Sequence, residues 1–154
     1  IFAGGDATAI AQLTDFFAAL SQRVTHMGAS GAGQVTKICN QLIVAANSTL
    51  IAEAVALAQR AGVDASQLAP ALVGGFADSK PLQILAPRMA SQSFEPVQWK
   101  VQTLNKDLNN ALNLAQSLSL SIPVAQHAQQ RLQQQVDAGQ AAADLSSIIQ
   151  LYVK

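Results

Sequence analysis

The sequence predicts a mainly α-helical domain that follows a short strand–helix–strand segment. Neither Pro nor Gly occurs between Gln34 and Arg60, so this stretch is expected to form one helix of about 40 Å, at 1.5 Å per residue. Half of the residues are hydrophobic but only 5% are aromatic, an Ala-rich composition that indicates closely packed helices. Signs of β-structure are confined to Ile1–Ala3 and Arg23–Met27.

The first thirty or so residues have the pattern of a piece of an α/β sheet. Asp6 is a predicted N-cap, and apolar residues follow it at helical spacing as far as Leu20. Strand, helix and strand within about thirty residues is typical of an α/β fold. Two short strands do not make a stable sheet alone. Because the chain also begins at Ile1 rather than Met, we expect a fragment of a longer protein whose remaining sheet lies upstream.

The long predicted helix carries two adjoining apolar stripes. They are expected to bury most of its circumference and to make it the central spine of the domain, reaching towards a partner subunit. Gly62 is expected to end it as the C′ residue. On this helix we expect Glu53 to be a buried, hydrogen-bonded carboxylate and Cys39 to be a core residue. The stripes consist of Ile38, Leu42, Ala45, Thr49, Ala52 and Ala56, and of Ile43, Ala46, Leu50, Ala54 and Leu57.

The shorter helices are predicted from N-caps, from prolines in first turns and from apolar faces. Asp64 and Gln67 resemble a capping box, and Ser79 is an expected N-cap. Asp144 is likewise expected to cap the last helix. The predicted helices cover residues 64–73, 79–90, 103–118, 121–137 and the stretch that follows Asp144.

Composition excludes several classes of protein. Nine basic residues balance nine acidic ones without clustering, which argues against nucleic-acid binding. The single Cys39 excludes a disulfide framework and a Cys-rich zinc site, and it fits a cytoplasmic location. His26 and His127 lack the spacing of metal ligands, so no metal is expected. The apolar residues 42–58 are too few and too interrupted to predict a membrane-spanning helix.

A glycine-rich segment runs from Gly28 into the long helix. It is not a phosphate-binding Walker loop, because Gln34 follows Gly33 where Lys is needed. It is not a dinucleotide fingerprint either, because Thr36 occupies the third glycine position. We expect these glycines to let the start of the helix pack closely against a neighbour or a ligand.

Lys37 and Asn40 lie three residues apart and therefore share one face of the helix. A lysine so placed can give a proton to a carbonyl oxygen and take it back in the reverse reaction. Asn40 can hold a hydroxyl or a carboxylate of the same ligand. The alternative interpretation of Lys37 is an ordinary surface lysine. Similarly, the default interpretation of Lys106 and Asp107 is a solvated ion pair.

Motifs along nearly the whole chain resemble the β-hydroxyacid dehydrogenases, the family that includes 3-hydroxyisobutyrate dehydrogenase and tartronate semialdehyde reductase. Each motif is weak alone, but their joint order is specific. They are Gly31-x-Gly33-x-x-x-Lys37-x-x-Asn40-Gln41, Ala52-Glu53-Ala54, Gly62-Val63-Asp64, Gly74-Gly75-Phe76-Ala77-x-Ser79, Lys106-Asp107-Leu108 and Asp144-x-Ser146.

The resemblance implies a domain division. Residues 1–30 would be the C-terminal end of a truncated NAD(P)-binding Rossmann domain. Residues 31–154 would be an all-helical substrate and dimerisation domain, like the C-terminal domain of 6-phosphogluconate dehydrogenase. The cofactor loop of the family is then expected before Ile1, so this chain alone is expected to be inactive.

The resemblance also implies a set of site residues. Lys37 matches the catalytic lysine of the family, and Asn40 and Gln41 match substrate-binding positions. Trp99 stands where the family commonly has Phe beside the nicotinamide, which leaves the shape of the pocket open. The implied contacts to the cofactor, NAD or NADP, are Ser79, Trp99, Lys106 and Asp107.

The implied reaction is reversible hydride transfer between NAD(P)H and a small 3-hydroxy acid or its semialdehyde, such as 3-hydroxyisobutyrate or tartronate semialdehyde. The expected partners are that substrate and further copies of the chain, in a homodimer or homotetramer, with neither nucleic acid nor membrane. Three alternatives stay open. They are a non-catalytic helical dimerisation module, a dehydrogenase of phosphorylated sugar acids, and a relative of these dehydrogenases that acts as an epigenetic reader without turnover. The scattered arginines count against the second, and the presence of Lys37 counts against the third.

Overall fold

The computed structural model describes residues 1–153, and it confirms the predicted mainly α fold class. The chain is 67% helical with two short strands. It forms two compact units, Ile1–Gln41 and Leu42–Lys154. The long helix α3, Ala32–Arg60, begins two residues before the predicted start and ends where predicted. The division at residue 30 into a Rossmann remnant and a helical domain stays a prediction.

In the first unit, two short parallel strands pair across a helical segment. Strand β1 (Phe2–Ala3) pairs with β2 (Thr25–His26), with Phe2 opposite Thr25. The predicted single helix between them is wrong, because it divides into α1 (Ala7–Gln12) and α2 (Thr14–Ala18). The hydroxyl of Thr14 donates to Ala11 O over 2.7 Å, and such a local bond competes with regular helical pairing. The predicted N-cap is confirmed, since Ala9 N donates to Asp6 Oδ1 over 2.8 Å.

Two glycines let β1 and the start of α3 approach closely. A Cβ atom on Gly33 would lie 2.5 Å from Phe2 O, and one on Gly4 would lie 2.9 Å from Gly33 N. Neither distance is compatible with a real side chain. The expectation that the glycine-rich segment allows close packing is therefore confirmed, and the neighbour is the backbone of β1.

The end of α3 follows the expected C-cap geometry. Gly62 has φ +76°, a conformation that glycine adopts without steric cost. Val63 N donates to Ala58 O over 2.9 Å and Gly62 N donates to Gln59 O over 3.1 Å, which together form a Schellman motif.

In the second unit, α3 is buried along one stripe only. Ala45, Ala52 and Val55 are fully buried, whereas Ile43, Leu50 and Leu57 are 58%, 63% and 71% exposed. The prediction of burial around most of the circumference is therefore wrong within residues 1–153. Helical periodicity shows which residues share a face, but not which faces meet another element.

Two further predictions for this helix need correction. Cys39 is exposed and has a free thiol, so it is not a core residue. Glu53 is also exposed, although the hydroxyl of Tyr152 donates a hydrogen bond to its Oε1 over 3.2 Å. Both side chains point away from the buried stripe of α3.

The rest of the second unit is built from short helices around an aliphatic core. The elements are a 3₁₀ turn (Ala65–Gln67), α4 (Leu68–Leu72), α5 (Lys80–Ser91), α6 (Val101–Ser117), α7 (Pro123–Gln135), a π-helical turn (Val136–Gln140) and a 3₁₀ helix (Leu145–Leu151). Fully buried core side chains include Met89, Val101, Leu108, Leu132, Ile148 and Ile149.

Several predicted caps are present, with differences in detail. Ser79 Oγ accepts from Leu82 N over 3.2 Å, as expected for an N-cap. Asp64 accepts from Ser66 N over 3.0 Å, so the predicted cap is present. The side-chain amide of Gln67, the second residue of the expected capping box, donates to Ser66 Oγ instead. The last helix is a 3₁₀ helix, and its cap is Asp144 as predicted. The helix predicted from residue 121 begins two residues later, because α7 starts at Pro123, after Ile122.

By length and composition, α3 is the helix of residues 1–153 that could cross a membrane, with a mean hydropathy of 1.5 over 18 residues. The prediction that the apolar stretch is too short is thus wrong, because the helix extends well beyond residues 42–58. Core helices of globular proteins meet the same criterion, and 39% of this window is buried inside the structure. The expectation of no membrane partner stays a prediction.

Candidate functional site

The first candidate group lies on α3 in the first unit. Lys37 Nζ donates to Gln41 Oε1 over 3.1 Å, and Asn40 Nδ2 donates to the same oxygen over 2.9 Å. Lys37 and Asn40 are exposed, and Gln41 is half-buried. The helix spacing predicted that Lys37 and Asn40 share a face, and here one amide oxygen joins their donors.

The chemistry of this group follows from its donors. An ammonium and an amide N–H₂ converge on a single oxygen, and an ammonium has donors but no acceptor. A carbonyl, hydroxyl or carboxylate oxygen of a ligand can take the place of Gln41 Oε1. The same lysine can then share or transfer a proton at that oxygen.

Local structure fixes the position of these side chains along the helix. Thr36 Oγ1 donates to Ala32 O over 2.9 Å, within the first turn of α3. That turn packs on β1 at Gly33, one helical turn before Lys37. The lysine therefore projects from a helix start that is fixed against the strand.

The second candidate group lies at the start of α6 in the second unit. Lys106 Nζ lies 3.3 Å from Asp107 Oδ1, with the side chain of the lysine 69% exposed. This is the surface pair that the sequence predicts by default, and such a pair contributes little to stability. Trp99 lies in the loop before α6, directly before the N-cap residue Lys100, and is 55% exposed. An exposed indole offers a surface for stacking, and an exposed ammonium offers hydrogen-bond donors and a positive charge.

Ser79 belongs to a different helix of the same unit. Its hydroxyl oxygen accepts the Leu82 N–H and caps α5. This geometry accounts for Ser79 without a ligand, and its predicted contact with the cofactor stays a prediction.

From the sequence, Asp144 was expected to cap the last helix, and no role was predicted for Arg88. Asp144 is 2% exposed and pairs with Arg88, whose Nε lies 3.4 Å from Oδ1. The other carboxylate oxygen, Oδ2, accepts from Gln98 N over 2.7 Å and from Trp99 N over 3.3 Å. No sequence signal links these residues, because Gln98 and Asp144 are 46 positions apart.

Burial and hydrogen bonding act in opposite directions on this carboxyl group. Burial raises the pKa of Asp144, but the hydrogen bonds from Ser146, Gln98 and Trp99 together outweigh it and hold the pKa below the ordinary value of 3.8. Asp144 therefore remains an anion to unusually low pH, opposite the guanidinium of Arg88.

The histidines have structural partners. His26 Nε2 lies 2.9 Å from both Gly5 O and Gly28 O, at the ends of the paired strands. His127 Nδ1 lies 3.0 Å from Pro123 O, one turn back along α7. Among residues 1–153, no three His, Cys, Asp or Glu side chains gather closely enough to hold a metal ion.

Comparison with known proteins identifies the family. The family model described as "NAD-binding of NADP-dependent 3-hydroxyisobutyrate dehydrogenase" matches residues 31–152. The chain therefore belongs to this family of NAD-binding domains. The resemblance to the β-hydroxyacid dehydrogenases is confirmed.

Individual relatives are consistent with this assignment. The chain is 36% identical over 107 residues to 2-hydroxy-3-oxopropionate reductase of Escherichia coli K12, an alignment that covers 70% of this chain and 36% of that protein. The Mycobacterium tuberculosis 3-hydroxyisobutyrate dehydrogenase, solved with L-serine, superposes with a TM-score of 0.84 at 26% identity. That match covers 96% of this chain and 53% of that one.

A third match supports the fold alone. It is the 3-hydroxyisobutyrate dehydrogenase of Salmonella typhimurium, with a TM-score of 0.88 at 24% identity over 97% of this chain and 52% of that chain. The chain thus spans about half of each of these solved chains and about a third of the curated reductase.

Proposed function

We propose that this chain is part of an oxidoreductase that reversibly transfers hydride between NAD(P)H and a small 3-hydroxy acid or its semialdehyde. The observation that carries the proposal is the convergence of Lys37 and Asn40 on one oxygen, in a chain of this family. Small oxidised or hydroxylated acids also occur in the names of the relatives, as 2-hydroxy-3-oxopropionate, 3-hydroxyisobutyrate and L-serine.

Lys37 is the proposed acid and base. In the reducing direction the carbonyl carbon gains a hydride and Lys37 gives its proton to the carbonyl oxygen; in the oxidising direction Lys37 takes that proton back. When bound, the nicotinamide cofactor supplies or accepts the hydride. The ammonium of Lys37 also offsets the negative charge that develops on the oxygen.

Asn40 and Gln41 are the proposed substrate-binding residues. The substrate oxygen replaces Gln41 Oε1 between the two donors, and the freed amide of Gln41 then turns to the substrate. Trp99, Lys106, Asp107 and Ser79 are the proposed cofactor contacts. Support for this part of the proposal is the exposure of the indole of Trp99 and of the ammonium of Lys106.

A phosphorylated substrate is disfavoured by the arginines of the second unit. Arg60 donates to Tyr152 O over 2.8 Å, and Arg88 is paired with Asp144. Arg131 lies over the ring of Tyr152, 5.6 Å from its centre. Each is thus engaged by the protein rather than directed at a phosphate site.

The test is turnover by the full-length protein with a panel of 3-hydroxy acids and with NAD and NADP. We expect Lys37→Ala to lower kcat at least about a hundredfold, the typical contribution of an acid–base group. The affinity of Lys37→Ala for the cofactor should remain within about twofold of wild type. The control is Gln34→Ala, at an exposed position on the same helix, which should leave kcat and cofactor affinity unchanged. Near-normal turnover by Lys37→Ala would refute the role of this lysine.

We further propose that the chain self-associates, as a homodimer or homotetramer, through the exposed stripe of α3. Ile43, Leu50 and Leu57 recur every seven residues, a spacing that aligns apolar side chains for packing against another helix. Leu50→Glu should shift the full-length protein to a smaller species in analytical ultracentrifugation, whereas Gln34→Glu, at an exposed position of the same helix outside this stripe, should not. An unchanged sedimentation profile for Leu50→Glu would contradict this interface.

A cytoplasmic location is also proposed. Its support is the exposed free thiol of Cys39, which persists best in a reducing compartment. Fractionation of cells with an antibody against the protein checks it, and recovery in the membrane or secreted fraction would count against it.

A further inference from the structure

We propose that Asp144 is a positioning residue that holds Trp99 and the start of α6 in place for contact with the cofactor. This inference rests on the proposed function, because it takes Trp99 and Lys106 to be cofactor contacts. Asp144 itself is buried, so it acts through the backbone of the loop that precedes α6.

The two carboxylate oxygens of Asp144 have different partners. Oδ1 accepts from Ser146 N over 3.0 Å and from the Ser146 hydroxyl, and so caps the last 3₁₀ helix. Oδ2 accepts from Gln98 N and Trp99 N, which belong to the loop before α6. One side chain thus joins the start of the last helix to the start of α6.

Backbone pairing extends this link on both sides of Trp99. Leu145 N donates to Trp99 O over 2.7 Å, and Val101 N donates to Ala143 O over 3.0 Å. The N–H of Trp99 is bonded to Asp144 and its carbonyl to Leu145, while its side chain is 55% exposed. A backbone fixed on both sides with an exposed aromatic ring is the arrangement that a preorganised ligand contact requires.

Arg88 also binds the same loop. Its Nη2 donates to Pro96 O over 2.9 Å, while its Nε pairs with Asp144 Oδ1. Burying an ion pair is costly, and capping alone does not require it. Asp64 forms the same kind of cap at the surface, with Ser66 and without an arginine partner among residues 1–153. The bonds that Asp144 and Arg88 make in addition to the cap go to residues 96–99. We therefore assign the ion pair the role of holding this loop.

The test uses the full-length protein and three variants. Asp144→Asn keeps one oxygen acceptor but removes the charge and places an N–H₂ group against a donor. Ser146→Ala removes the hydroxyl that donates to Oδ1 and accepts from Arg88 Nε, and it leaves the Oδ2 bonds and the bond from Arg88 to Pro96 O. Asp64→Asn changes the equivalent cap elsewhere. The first measurement is the Kd for NADH and NADPH by calorimetry. The second is acrylamide quenching of Trp99 emission, assigned by subtracting the matching Trp99→Phe protein.

We expect Asp144→Asn to raise the cofactor Kd about tenfold, the typical effect of losing a hydrogen bond to a charged group. Quenching of Trp99 should rise at the same time. Asp64→Asn and Ser146→Ala should lower the melting temperature while changing Kd and quenching less than about twofold. A melting change in Asp144→Asn without a change in Kd or quenching would overturn the proposal, because a purely structural cap predicts that result.

If Asp144→Asn does not fold, Arg88→Lys provides the same test. It keeps a positive charge beside Asp144 and loses the bond to Pro96 O, so Kd and quenching should move in the same direction by a smaller factor. A wild-type protein that binds NAD(P)H but reduces none of the acids refutes the proposed function, while the Kd comparison still decides the role of Asp144. A wild-type protein that binds neither cofactor overturns both.

Discussion

Asp64 and Asp144 each precede a short 3₁₀ helix in the same Asp-x-Ser sequence, and each accepts the N–H and the hydroxyl of its serine. Asp64 is exposed, whereas Asp144 is buried and also holds the loop before α6. The comparison teaches that a local motif specifies the cap, and that long-range partners decide whether the same residue also organises a distant loop.

The largest expected difference between the two caps is in stability. Asp144→Ala leaves the guanidinium of Arg88 and the N–H groups of Gln98 and Trp99 without their acceptor, at a cost of about 3 kcal/mol. Asp64→Ala should lower stability only slightly, because water can solvate the freed N–H of Ser66. Chemical denaturation of the full-length protein measures both. Equal losses would show that burial does not distinguish the two caps.

The next expected difference is in pH dependence. The pKa of Asp144 is lowered in the folded protein, so its carboxylate stabilises the fold fully above the ordinary pKa, 3.8. That stabilisation is lost only as the pH falls through the lower, folded-state pKa. The melting-temperature difference between wild type and Asp144→Asn should therefore stay constant from neutral pH to about pH 4 and shrink below it.

Asp64 provides the control for that titration. The hydroxyl and the N–H of Ser66 also lower the pKa of Asp64, but the carboxyl group is exposed. The difference between wild type and Asp64→Asn should be small at every pH. A large difference for Asp64→Asn, or one for Asp144→Asn that already declines near pH 6, would contradict the assignment.

The smallest expected effect concerns the two serines. Ser146 is fully buried, and Ser146→Ala removes the bond that its hydroxyl donates to Asp144 and the one that it accepts from Arg88 Nε, at a cost of about 1 kcal/mol for each. Ser66→Ala removes the equivalent bond at the surface and should be nearly neutral. Thermal melts of the two variants side by side sharpen the comparison, and a larger loss for Ser66→Ala would reverse it.

What the sequence predicts here depends on the range of the interactions. Caps at Asp6, Ser79 and Asp144 and the C′ position of Gly62 were predictable, because each is set by residues a few positions away. The shared face of Lys37 and Asn40 follows from helix geometry in the same way.

Other features depend on contacts that are distant in sequence. The exposure of Leu50 depends on which helix faces are covered, and the link from Arg88 to Ser146 joins residues 58 positions apart. The division into α1 and α2 is accompanied by a bond from the hydroxyl of Thr14 to Ala11 O, which hydrophobic periodicity does not register.

The close approach of Gly4 and Gly33 has a consequence for engineering this chain. Each position lacks room for even a methyl group, and Gly33 lies one helical turn before Lys37. A larger residue at either position must push the helix along or away from β1, and Lys37 would move with it. The axial position of Lys37 thus depends on the lack of a side chain at Gly4 and Gly33. These glycines are therefore poor sites for stabilising substitutions, although neither has to contact a ligand.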